Sequence, residues 1–236
     1  MKKWISGAGL LFALTLWGCS DEGLDAISTI DSNFETGVDG WAPGLAEFDT
    51  KIDTASIAFR FGRTRLPFGL DTSQYAFMMQ SNNRSDDMFM YLKKKVTGFE
   101  PNETYSVVFD IDLGTKAPEG SIGAGGSTAN AVYVKAGVTL VEPITRLQGI
   151  NYVFNLDKGI QSQSGVDGIV LGDVSNGTSD TTYVLVNRNN TDKPFLIKTN
   201  ASGELWFYVG TDSGFEGLTR LYYNRIRITA TEQNLN

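Results

Sequence analysis

From about residue 33 onward, apolar and polar residues alternate with a period of two. In "TYSVVFDIDL" (104–113), Tyr105, Val107, Phe109 and Ile111 share one face, with Ser106, Asp110 and Asp112 on the other. "DMFMYL" (87–92) places Met88, Met90 and Leu92 on one face and Phe89 and Tyr91 on the opposite one. Eight further runs read as strands: "ASIAFRF", "YAFMMQ", "AVYVKAGVTL", "INYVFNL", "TYVLVNR", "PFLIKT", "ELWFYVG" and "TRLYYNRIRIT". They are short, rich in aromatic and β-branched residues, and bounded by Gly, Asn, Asp, Ser or Pro. No segment sustains a helical period. Alternating faces over so many strands are satisfied by two sheets stacked on their apolar sides. The predicted fold is therefore all-β, an antiparallel β-sandwich of jelly-roll type, in a single domain over 33–236.

Composition fits this picture and narrows the partners. The 26 glycines against 6 prolines suit many tight turns. A net charge of -7 argues against a nucleic-acid partner, since phosphate binding needs clustered Lys and Arg. The one cationic run, Lys93-Lys94-Lys95, falls at a strand end, where edge lysines block aggregation. The chain has no histidine, which removes Ser-His-Asp and Cys-His catalysis and every His-ligated metal site. Acid–base chemistry would fall to Asp, Glu, Lys or Tyr.

The N-terminus, "MKKWISGAGLLFALTLWGCSDEG" (1–23), has a basic start and an apolar run of signal-peptide length, too short to span a bilayer comfortably. Its end, Leu16-Trp17-Gly18-Cys19, resembles the lipobox of bacterial lipoproteins. That resemblance implies removal of 1–18 and acylation of Cys19. Cys19 is the only cysteine, so it has no disulfide partner within the chain. Each buried CH₂ contributes about 0.8 kcal/mol, so more than one acyl chain makes a stable anchor. The partner implied is the lipid bilayer, and the location is the bacterial cell envelope, at the outer membrane. Residues 19–32 read as the lipidated end and its tether, and the acidic Ser20-Asp21-Glu22 resembles a surface-export signal.

Two longer resemblances bear on the folded part. "NFETGVDGW" (33–41) resembles the opening of jelly-roll carbohydrate-binding modules, which implies burial of Phe34 and Trp41. "LYYNRIRIT" resembles their closing strand, which returns beside the first. Tyr223-Asn224 stands where many such modules carry an Asp pair. The blocks "NNRSDDMFMYLKKKVTGFEPNETY", "VYVKAG", "DKGIQSQSG", "VLGD" and "ASGELWFYVGTDSGFEG" are similar to those of a family of uncharacterised secreted or lipid-anchored bacterial proteins. This implies architecture and location, and no catalytic role.

Candidate chemistry lies in two loops and one strand. Asp86 and Asp87 close the polar stretch "SNNRSDD"; neighbours on a strand point to opposite faces, so they can share a cation only from a loop. An Asx turn feeding the strand is the plainer alternative, with Asp87 at the strand entrance and Asp86 capping backbone amides. "GTDSGFEG" (210–217) offers Asp212 and Glu216. If these loops meet, four carboxylates share a mouth, and Asp86, Asp87 and Asp212 would hold a structural Ca²⁺ that relieves their repulsion. On "ELWFYVG", Trp206 and Tyr208 lie opposite Leu205, Phe207 and Val209. With the aliphatic set inward, the two rings form a ribbon for stacking on sugars; otherwise both faces are buried. The functional expectation is a non-enzymatic, lipid-anchored envelope protein that binds carbohydrate or a related polymer. The rivals are a carboxylate-dependent glycan-active enzyme and a structural subunit of an envelope complex.

Overall fold

The computed structural model describes residues 26–233. Cys19 and the leader lie outside them. Strands are numbered in chain order. Seven form one sheet: β1 (Ile27–Ser32), β4 (Arg60–Arg65), β5 (Tyr75–Asn82), β7 (Thr104–Thr115), β12 (Val184–Asn189), β13 (Phe195–Lys198) and β15 (Leu218–Glu232). Five form a second: β2 (Ala42–Ala46), β6 (Met88–Thr97), β8 (Val132–Thr139), β11 (Ile169–Asp173) and β14 (Glu204–Ser213). A small third sheet joins β3 (Phe48–Asp49), β10 (Asn151–Phe154) and β9 (Thr145–Gln148).

Every strand pairing is antiparallel. The long strands cross from sheet to sheet, β5 to β6 to β7 to β8 and later β14 to β15. The protein is thus an antiparallel β-sandwich wound in the jelly-roll manner. The closing strand returns beside the first, with Ile30 opposite Ile228.

Alternation decides the core. Val107, Phe109 and Ile111 from β7 meet Leu205, Phe207 and Val209 from β14, with Phe109 and Phe207 edge to face at 6.2 Å. Phe34 and Trp41 are buried, and the Trp41 indole N–H donates to Ser32 Oγ at 2.9 Å.

Two expectations need correction. The segment read as tether contains β1, so the sandwich begins by Ile27 rather than at 33. Its polar "ISTIDS" hides a strand whose Ile30 packs on the core. The predicted strand 55–61 is split. The Asp53 carboxylate accepts from the Ala55 N–H and starts one helical turn, α1 (Thr54–Ile57), which the left-handed Ala58 ends before β4.

Candidate functional site

Residues that alternate with the core set on β6, β8 and β14 face outward from the five-stranded sheet. In register, Asp212 stands beside Phe89 and Tyr133, Lys135 beside Gly210, and Tyr208 beside Gly137. This outer face is covered. The β9–β10 hairpin and the chain through 168 fold over it, and Phe154 packs on Tyr91 at 4.8 Å, Phe89 at 4.9 Å and Tyr208 at 5.2 Å. Tyr208 is fully buried and its hydroxyl donates to Asp167 O at 2.9 Å. Burial pushes that phenol far above its ordinary range. Position 137 must be glycine for this closure, because a Cβ there would collide with Asp167 O and the Tyr208 ring.

Under the covering segment lies an ionic cluster. Asp212 and Lys135 are completely buried and Lys158 nearly so. Asp212 Oδ2 accepts from Lys135 Nζ at 2.9 Å, Lys158 Nζ at 2.8 Å and the Gln161 N–H at 2.9 Å. Lys135 also donates to Lys158 O at 2.9 Å and Gln163 O at 3.0 Å, so its three N–H donors are all used. Burial opposes ionisation of Asp212, but Lys158 and Lys135 outweigh it and hold the carboxyl below the usual range. Burial likewise lowers Lys135, with Asp212 opposing. The cluster staples the covering segment to the sheet.

Asp87 is the exposed end of this cluster. Its side chain is 35% accessible and lies 3.9 Å from Lys158 Nζ. Burial first, and then the negative charge of Asp212, push its carboxyl up to about 7, against the pull of Lys158. Asp87 Oδ1 and Asp212 Oδ1 are buried and take no hydrogen bond from any other group. The raised proton affinity of Asp87 relieves the repulsion between the two carboxyls. Asp87 opens into a cleft of about 480 Å³ with Glu47, Phe48, Asp49, Ile52, Arg84 and Val153 on its walls.

The raised value fixes the sign of a pH dependence. A carboxyl titrating near 7 when folded and at 3.8 when free contributes most below the free value, and that contribution is lost as pH rises through 7. Between these limits wild-type stability should fall with pH relative to Asp87→Asn. Asp212, being lowered, acts in the opposite sense and only below 3.8. Urea midpoints of both proteins from acid to neutral pH check this, and parallel curves would contradict it.

The structure brings Asp87 and Asp212 together, but Asp212 lies on strand β14, paired with Phe89 and Tyr133, and not in the loop expected over 210–217. Asn83 ties them: its Nδ2 donates to Ser213 O at 2.6 Å and Phe215 O at 3.0 Å. Asn83, not Asp86, caps the turn, accepting from the Ser85 N–H at 3.0 Å. Asp86 is exposed with a left-handed backbone (φ 63°). Glu216 is exposed, its N–H bonded to Ala124 O, and takes no part in the cluster. Among the described residues no three Asp, Glu, His or Cys side chains are grouped to hold a metal ion. At Asp212 the positive charge expected from Ca²⁺ is supplied by two ammonium groups instead. Leu205, Phe207 and Val209 do face the core, but the Trp206–Tyr208 ribbon is broken because Tyr208 lies under the covering segment. Trp206 alone is partly open, with Lys93 Nζ 5.7 Å from its ring centre.

No protein-family model matches the chain, and neither does any curated protein. Solved structures similar to it include a Stig cyclase from Fischerella sp. TAU, 11% identical, with a TM-score of 0.42 over 88% of this chain and 100% of that one. A carbohydrate-binding module described for specific mannan recognition is 9% identical, with a TM-score of 0.41 over 88% of this chain and 98% of that one. The enzymatically active domain of tailspike protein 4 of bacteriophage CBA120 is 10% identical, with a TM-score of 0.38 over 83% of this chain. The present chain spans 20% of that tailspike chain.

Proposed function

We propose that this is a lipid-anchored bacterial envelope protein whose β-sandwich binds a glycan or related polymer, without catalysis, in the cleft at Asp87. Support comes from the cleft itself. Phe48, Ile52 and Val153 give it an apolar wall, and Asp87, Asp49, Ser85 and Arg84 supply hydrogen-bonding groups. Sugars present apolar C–H faces edged by hydroxyls, and a half-apolar, half-polar cleft of this size matches one or two rings. Glycoside hydrolysis would need two carboxyls flanking the scissile bond, about 5–9.5 Å apart. Here Asp212 is closed off from solvent, one Glu47 oxygen is held by the Phe154 N–H at 3.0 Å, and Asp49 accepts from the Lys51 N–H at 2.7 Å. Polysaccharide pull-down with the purified protein tests the reading. Retention on at least one polymer is expected, and retention on none would overturn it.

A glycan-active enzyme is the second reading, favoured by the raised proton affinity of Asp87. Cleavage of a bound glycan, abolished in Asp87→Asn, would establish it over simple binding. The anchor has its own test. Cys19→Ser should accumulate as unprocessed precursor without acyl label, and continued labelling of that variant would remove the lipoprotein assignment.

A further inference from the structure

At the same end of the sandwich, a second cavity of about 330 Å³ opens between the end of β7 and the start of β15. Tyr183 and Phe215 give it aromatic walls, Thr181 contributes a hydroxyl, and Thr219 also lines it. Two cations converge on it. Lys116 Nζ lies 5.5 Å from the Tyr183 ring centre. The Arg220 charge also acts on the Tyr183 hydroxyl, opposing the effect of burial, which pushes that group up to about 12. Arg220 Nε donates to Gln80 Oε1 at 2.6 Å, which fixes the side chain and leaves its terminal N–H groups without a protein acceptor among the described residues. Among the described residues neither Lys116 nor Arg220 pairs with a carboxylate, although the chain carries 27 acidic residues. Thr219 is only 8% exposed, and its Oγ1 has no hydrogen-bond partner. That oxygen is closed to solvent, so the groups open to a ligand are the two cations and the aromatic walls.

We propose that this cavity binds a carboxylated sugar residue, a uronate. The ring's apolar face lies against the aromatic wall, and its carboxylate sits between Lys116 and Arg220. A neutral sugar would leave both cations unused, and charge-assisted bonds to a carboxylate are about twice as strong as neutral ones. The cavity volume matches a single ring rather than a polymer stretch. None of its six named residues lines the Asp87 cleft, so the two sites stand or fall separately.

The test is calorimetric titration of the purified full-length protein with D-glucuronate and with D-glucose. Glucuronate is expected to bind at least about tenfold more tightly. That preference should shrink at about 0.5 M salt, which screens exposed charges. Lys116→Gln combined with Arg220→Gln should erase it while leaving the thermal midpoint unchanged. Asp87→Asn should leave it intact, so a failed glycan test at the cleft does not count against this site. Equal affinities for the two sugars, absence of glucuronate binding, or a preference that survives the double variant would each overturn the proposal.

Discussion

Asp212→Ala is expected to cost the fold about 3–5 kcal/mol, because it strands two buried ammonium groups without their counter-charge. Lys135 has no exposure and Lys158 almost none, so neither can turn to water without opening the covering segment. Asp212→Asn keeps the shape but not the charge and should cost nearly as much. Lys135→Met, which removes one cation and fills its space with an apolar chain, should be milder, since the remaining pair stays balanced. Urea unfolding of the three variants decides the matter. A loss below about 1 kcal/mol for Asp212→Ala would mean that the lysines are hydrated in solution and that the cluster is not a staple.

Trp41→Ala should cost a similar amount, about 3–5 kcal/mol, by a different route. The ring is 3% exposed in the main core, and its loss leaves a cavity that the surrounding strands cannot fill. The indole bond to Ser32 Oγ goes with it, loosening the attachment of β1. Trp41→Phe should recover most of the stability, because it restores apolar volume without that bond. Thermal unfolding of both variants tests this. A small effect from alanine would place Trp41 at the surface, contrary to its packing.

The fold was legible because alternation is a local property of the chain. The inward faces of 104–113, 88–92 and 204–210 follow from period two alone, and the closing strand does return beside the first. Within the site, the approach of Asp87 to Asp212 was also within reach, since both lie at the end of strongly patterned strands, although Asp212 belongs to β14 itself and not to the loop after it. What could not be read was the covering segment. In "VYVKAG", Lys135 occupies an outward position, where a lysine ordinarily means solvent, and only the distant residues 140–168 bury it. Lys158 sits in a polar, glycine-bounded stretch with no periodic signal. Gly137 was the available clue, since a glycine inside a strand often marks close approach by another part of the chain. The same covering segment accounts for Tyr208, whose partner Phe154 lies 54 residues earlier. β1 was missed for the opposite reason, as "ISTIDS" has too few apolar residues to stand out from a tether.

On the proposed function, glycan binds in the Asp87 cleft and not along the Trp206–Tyr208 ribbon. The most direct measurement is affinity for a retained polysaccharide in Phe48→Ala and Trp206→Ala, compared with the parent protein. Phe48→Ala should weaken binding by about tenfold, the loss of one stacked ring, and Trp206→Ala should leave it within about twofold. Binding that survives Phe48→Ala but is lost with Trp206→Ala would contradict the account and return the site to the sheet face.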